Sequence, residues 1–183
     1  MIKNLSAVVA VGIILSTVGC GTVSGVSGMT GQPLPNLRHH DKTVFVSVDQ
    51  RLGPEVLKAI QDAIWDSNSF KKVLQYPGAD YDLEIKHVGS NSPEGYATDI
   101  TIELNTEWHL YDSSTRSLLM KKSITSTYTA KMQWHHIALA VIPGVGMAMG
   151  NDDYGTRYKR AFDGAVRENI AQGLTAISEL RLN

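Results

Sequence analysis

Val44, Val46 and Val48 alternate with polar neighbours between Thr43 and Asp49, the period-two pattern of a strand. Gly53-Pro54 then opens a helix, with proline at an early, tolerated position. Its apolar residues Val56, Leu57, Ile60, Ala63 and Ile64 fall on one face, and Ser67-Asn68-Ser69 ends it. A short strand over Lys71 to Gln75 precedes a turn at Pro77-Gly78. Tyr81, Leu83 and Ile85 alternate with Asp82, Glu84 and Lys86, a half-buried strand, and Gly89 to Gly95 reads as a loop.

Two longer strands follow. Ile100, Ile102, Leu104, Trp108 and Leu110 share one face, with Thr101, Glu103, Asn105, Glu107 and His109 on the other. After a turn at Asp112-Ser113-Ser114-Thr115, the residues Leu118, Met120, Ile124, Tyr128, Ala130 and Met132 keep period two, so the pair predicts an antiparallel hairpin with one apolar face. Asn151-Asp152-Asp153 supply capping oxygens and negative charge for a closing helix. Its stripe is Tyr158, Ala161, Phe162, Ala165, Val166, Ile170, Gly173, Leu174 and Ile177. The order β-α-β-β-β-β-α predicts an α+β fold: a two-layer sandwich in which a mostly antiparallel sheet of four to five strands carries both helices on one face.

The amino terminus follows different rules. Lys3 is the only charge before an uncharged, mostly apolar run from Leu5 to Val18. As a helix that run spans about 21 Å, short of the roughly 30 Å hydrocarbon core, which fits a signal peptide over 1–19. Thr17-Val18-Gly19-Cys20 resembles the lipobox of bacterial lipoproteins. The resemblance implies lipid transfer to the Cys20 sulfur, cleavage before it, and acylation (palmitate) of the new amino terminus. Gly21 in place of Asp implies sorting to the outer membrane, with the domain on the periplasmic face. The alternative is an ordinary signal peptide followed by an incidental free cysteine. From Cys20 to Asp41 the Gly/Ser/Thr/Pro-rich stretch reads as a flexible tether, leaving 42–183 as the periplasmic domain.

Composition narrows the function. The 183 residues carry 17 basic and 18 acidic side chains, and this balance argues against a nucleic-acid-binding surface. With 43% hydrophobic and 19% charged residues the chain is neither a disordered polymer nor a polytopic membrane protein. The single cysteine excludes an intramolecular disulfide and a thiolate zinc cluster.

Several stretches resemble a group of periplasmic assembly proteins. Phe70-Lys71-Lys72-Val73-Leu74 followed by Ala79-Asp80-Tyr81-Asp82-Leu83-Glu84-Ile85 is similar to their short strand and A-D-Y-x-L motif. Leu110 to Thr115 is similar to their hairpin, and Ala161 to Leu180 to their closing helix. The group includes the TolB amino-terminal domain, the curli-export lipoprotein, the lipoprotein activator of peptidoglycan synthases and the LPS-assembly lipoprotein. The resemblance implies an envelope accessory protein.

The least ordinary segment is Ile137 to Gly150, fourteen residues without charge where a polar connection is expected. It is too short to span a bilayer as a helix, and Pro143 interrupts it. Either it buries against a partner, a sister protomer or the membrane, or it folds over the domain's own core. In the first case Trp134, Val141, Ile142, Val145, Met147 and Met149 are the contact residues. Gly144-x-Gly146 lacks the Lys-Ser/Thr of a phosphate loop. The pairs His39-His40 and His135-His136 lack metal-ligand spacing, so no metal or cofactor is expected beyond the lipid on Cys20. Asp80, Asp82, Glu84, Glu103 and Glu107 lie on solvent-facing alternations, and no serine sits in a nucleophile elbow.

These features predict a non-enzymatic, lipid-anchored outer-membrane protein that serves as an assembly, transport or accessory factor. It would act through an envelope protein partner or self-association. The alternatives are a subunit of an oligomeric export complex, and a carrier of a small hydrophobic ligand in a pocket lined by Trp65, Phe70, Trp108 or Phe162.

Overall fold

The computed structural model describes residues 37–91, 99–132 and 154–182. Strand β1 (His40–Val48) leads through a 3-10 turn (Gln50–Leu52) into α1 (Gly53–Asp66). Then come β2 (Phe70–Leu74), β3 (Tyr81–Ser90), β4 (Ile100–Asp112), β5 (Leu118–Ala130) and α2 (Tyr154–Ser178). The five strands form one sheet in the order β2-β1-β3-β4-β5. This is the expected α+β sandwich, with the short second strand at Phe70–Leu74, one residue earlier than the expected Lys71 to Gln75.

Most of the paired length is antiparallel, in the long β3–β4 and β4–β5 ladders. Strand β1 adds what periodicity alone does not show: it lies between β2 and β3 and runs parallel to both. The helix α1 makes the crossover from β1 to β2, and the turn at Pro77-Gly78 carries the chain back to β3 on the other side of β1.

One face of the sheet holds the core. Val44 and Val46 of β1, Leu83 and Ile85 of β3, and Ile100, Ile102, Leu104, Trp108 and Leu110 of β4 are buried beneath the helices. From α1 come Val56, Ala59, Ile60, Ala63 and Ile64, and from α2 Ala161, Ala165, Val166, Ile170, Leu174 and Ile177. Fully burying each large side chain contributes about 1.5–3 kcal/mol. Strand β1 starts at His40, before the expected domain boundary, because His40 packs on Phe70 with ring centroids 5.5 Å apart. Three members of the expected stripes are exposed: Leu118 is 50% and Tyr128 41% exposed on β5, Leu118 because the register with β4 shifts beside it, and Tyr158 is 37% exposed near the start of α2.

The placement of α2 depends on small and polar residues. Trp108 is fully buried, and a Cβ at Gly173 would lie 2.6 Å from its ring atoms, so the helix backbone sits directly on the indole. The Trp108 Nε1–H donates to Asn169 Oδ1 at 3.0 Å, and the Thr106 hydroxyl donates to the same oxygen at 2.8 Å. Asn169 Nδ2 donates to Ser126 Oγ at 3.2 Å, and Ser126 donates to the Leu104 carbonyl at 3.3 Å. Every polar side chain in this buried cluster is therefore partnered, as burial requires.

Helix α2 crosses the sheet obliquely. Gly164 lies on Tyr128 of β5, Asn169 and Gly173 over Trp108 of β4, and Leu180, just past the helix, accepts from Arg38 ahead of β1.

Replacing Gly173 by Ala should destabilise the protein by about 1–3 kcal/mol, because the buried indole has nowhere to move. That loss should outweigh the roughly 1 kcal/mol that alanine contributes through helix propensity. Gly164→Ala also meets a ring, but the exposed Tyr128 can swing toward solvent, so it should cost less. Urea unfolding of the two variants against the unaltered protein checks the order.

Candidate interaction surfaces

The strand directions sort the molecule into two ends. At one end, here the base, lie the starts of β1, β2, β3 and β5 and the ends of α1, β4 and α2. Arg38 reaches from the incoming chain to the Leu180 carbonyl at 3.2 Å, which ties the amino-terminal entry to the carboxyl-terminal segment. At the far end lie the ends of β1, β3 and β5 and the starts of α1, β4 and α2. Arg160 donates there to the Lys131 carbonyl at 3.3 Å, and the Met132 N–H donates to Asp99 Oδ1 at 3.3 Å. Both attachment points of segment 133–153 are therefore at the far end.

Strand β1's exit is pinned at that end by a charged turn. Asp49 accepts from the Arg51 backbone N–H at 3.0 Å and from its guanidinium at 2.7 Å, and Arg51 also donates to the His87 carbonyl at 2.7 Å. The Arg51 guanidinium holds the Asp49 carboxyl far below the ordinary carboxylate range.

A cleft of about 240 Å³ opens between the start of α1 and the middle of α2. Leu52, Val56 and Ala59 face Phe162 and Val166 across it, with Glu55 and Asp163 at its rim. It exists because α1 rests on β1 and β2 while α2 rests on β4 and β5, leaving β3 under the gap between them. Its volume falls below the roughly 300–1,000 Å³ of small-molecule sites. The four aromatics expected to line a ligand pocket do not converge. Trp65 is 69% exposed, Phe70 and Trp108 are core, and only Phe162 borders the cleft. Close helix–sheet packing consumes the space that periodicity left open.

Among the described residues the outer face of the sheet carries no helix. His109 points to it yet is only 7% exposed, because charged neighbours close over the ring. Its Nε2 lies 3.2 Å from Glu107 Oε2, its Nδ1 lies 3.2 Å from the Tyr111 hydroxyl, and Glu84 is 3.9 Å away. Lys121 bridges Glu107 at 3.2 Å and, as the main cause, holds that carboxyl below its ordinary value. The cluster is an ion-paired surface, with each carboxylate answered by a cation or a donor.

Asp80 is the chemically busiest of the expected carboxylates. Its Oδ2 accepts from the Thr43 N–H at 2.7 Å and from the Thr43 hydroxyl at 2.8 Å, while its own N–H donates to Thr43 Oγ1 at 2.9 Å. The Asp80 carbonyl accepts from Ser113 N–H at 3.0 Å, joining the β4–β5 turn to the start of β3. In the A-D-Y stretch the aspartate thus clamps β1 to β3, and Tyr81 is buried beside it. Of the histidine pairs, His40 is buried and its pKa is pushed below 6.5 chiefly by desolvation, while His39 Nδ1 lies 2.8 Å from the Asn68 carbonyl. Among the described residues no group of three potential metal ligands converges, and no helix is long and apolar enough to cross a membrane.

Cys20, Trp134, Val141, Ile142, Val145, Met147 and Met149 lie outside the described residues, as do His135 and His136. What sequence reasoning missed is the cluster of Thr106, Ser126 and Asn169. A signal was present: each polar residue falls in phase with an apolar stripe.

No protein-family model matches the chain, and no curated protein matches it. Solved structures share its fold. A minor lipoprotein from Acinetobacter baumannii is 10% identical with a TM-score of 0.50, over 77% of this chain and 93% of its own. A DUF330 protein from Xanthomonas campestris is 16% identical with a TM-score of 0.47, over 80% and 87%. PelC from Paraburkholderia phytofirmans, a dodecamer, is 15% identical with a TM-score of 0.42, over 79% and 93%. At these identities the likeness is one of fold. None of the three is described by an enzymatic activity.

Asp80→Ala should lower stability at pH 7 by about 1 kcal/mol, solvent screening limiting the effect at this exposed site. Thr43 holds the Asp80 carboxyl below its usual 3.8, so this stabilisation is present above that pH and is lost as pH falls through the folded-state value. Urea midpoints taken from pH 7 down to pH 3 should therefore fall less steeply for the variant.

Proposed function

We propose that this chain is a lipid-anchored protein of the outer membrane, facing the periplasm, which serves as an assembly, transport or accessory factor of the cell envelope through protein contacts. Cys20 carries the lipid in this reading, and no cofactor is involved. The lipobox-like Thr17-Val18-Gly19-Cys20 and the resemblance to the TolB, curli-export, peptidoglycan-synthase-activator and LPS-assembly group support it.

The observation that carries the reading is the separation of the two ends. The tether enters the domain at the base through Leu37 and Arg38, while segment 133–153 leaves after Met132 and returns at Tyr154, at the far end. The 13 residues of β4 span about 43 Å between these ends. A Gly/Ser-rich tether from Cys20 to Leu37 reaches on the order of 20–25 Å in root-mean-square extension. With the base toward its membrane, Met132 and Tyr154, between which the apolar stretch 137–150 runs, lie away from that surface. This favours a protein over the anchoring bilayer as what Trp134, Val141, Ile142, Val145, Met147 and Met149 meet. A membrane-proximal domain also holds its partner surface at high local concentration along the envelope.

Cys20→Ala should abolish incorporation of labelled palmitate and move the protein from the outer-membrane fraction to a soluble or uncleaved form. Retention of label in the variant would overturn the anchor. Replacing Val141 and Val145 together by Asp should leave the melting temperature within about 2 °C while removing proteins that co-purify in mild detergent. Loss of the folded domain would instead mean that the segment packs on its own core.

A further inference from the structure

We propose that β5 pairs antiparallel with β5 of a second copy of this chain, about a two-fold axis through Thr125. Strand β5 is the last in the sheet, with no strand beyond it among the described residues. It is 13 residues long, and from Ser123 to Ala130 it contains no charge, proline or glycine. Nor does its register with β4 shift over those residues. These are the devices that normally block an edge, and here they are confined to the other end of the strand, in Lys121, Lys122 and the register shift between Met120 and Leu118.

The direction of the free backbone groups follows from the neighbouring ladder. Asn91 donates from its backbone N–H to the Glu103 carbonyl at 3.2 Å and from its side chain to the Thr101 carbonyl at 3.3 Å. Odd residues in this part of β4 thus turn their backbone groups toward β3, and even residues toward β5. Through the pairs Ile102–Tyr128, Leu104–Ser126 and Thr106–Ile124, the even residues of β5 bond to β4. Ser123, Thr125, Thr127 and Thr129 then direct their N–H and C=O groups outward.

Two features select a second copy in this register. A two-fold axis through Thr125 places Met120 opposite the second copy's Ala130, Lys121 opposite its Thr129 and Lys122 opposite its Tyr128. No lysine faces a lysine, and each Lys122 comes beside Tyr128, which is 41% exposed and has Arg167 over its ring at 5.7 Å. The oblique course of α2 supplies the second feature. The helix covers the Tyr128 end of β5 through Gly164 and leaves the Lys122 end open, where Lys121 and Lys122 are exposed. The two-fold axis sets the open half of each β5 beside the covered half of the other. The two α2 helices therefore do not compete for one place. A foreign strand would satisfy the backbone groups but would not supply this matched alternation.

The test uses the full-length lipidated protein in mild detergent. Thr125→Cys should form a disulfide-linked dimer on mild oxidation, because paired Cα atoms across an antiparallel ladder lie within about 5.5 Å, inside disulfide range. Thr129→Cys, whose counterpart in the other copy is remote, should stay at the background set by the unaltered chain. Thr127→Pro removes an outward N–H without touching the β4 ladder, so it should halve the protein mass in light scattering and leave the melting curve in place. A monomeric unaltered protein at tens of micromolar overturns the proposal. So does cross-linking at Thr129→Cys equal to that at Thr125→Cys, or a Thr125→Cys adduct with a different protein.

Discussion

Helix α2 rests on the face of the Trp108 indole through the bare backbone of Gly173, and Asn169 accepts the indole N–H beside it. Most of the molecule is arranged around this contact. A buried indole needs a partner for its N–H, and a helix this close to a sheet needs a residue without a side chain where the ring lies. Thr106, Ser126 and Asn169 complete the polar arrangement, so register between α2, β4 and β5 is set by directional bonds as well as by apolar packing. Sliding the helix by one turn would take Asn169 away from the indole N–H, leaving it only the 3.2 Å contact to Thr106 Oγ1, and press side chains into the ring.

That constraint shapes the surfaces. Held over β5 at one end and β4 at the other, α2 leaves a narrow cleft against α1 and leaves half of the β5 edge without a helix over it. The outer sheet face is closed by its own ion pairs around His109, Glu107 and Lys121. What the domain offers a macromolecule is therefore its edge and its far end, and the chain's path puts the far end opposite the tether.

Much of this was legible in the residues. The alternation in β1, β3, β4 and β5 and the two amphipathic stripes specify which faces are buried, because side-chain direction in strands and helices is set locally. Asp112 and the serines and threonine after it mark the hairpin turn, and the Asp112 carboxyl does accept from the Ser114 and Thr115 backbone. The A-D-Y stretch was visible as a motif, but its clamp on Thr43 was not, since the two lie on strands 37 residues apart in the chain. The aromatic pocket failed for a related reason. Trp65, Phe70, Trp108 and Phe162 are each apolar enough to line a cavity, and only packing shows that one is exposed, two are filled core and one borders a cleft.

The sequence alone determined the element order, the α+β class and the single apolar face, since these follow from local periodicity and turn chemistry. It also carries the address-like amino terminus and the uncharged stretch at 137–150, which composition reveals without a fold. The tertiary structure decided the strand order, with β1 inserted in parallel between β2 and β3, because pairing partners are chosen by long-range burial. It decided why glycine stands at 164 and 173 and polar residues at 106, 126 and 169, because each answers a side chain distant in the chain. It decided, finally, which ends and edges remain free, a property of the assembled sheet that no single element possesses.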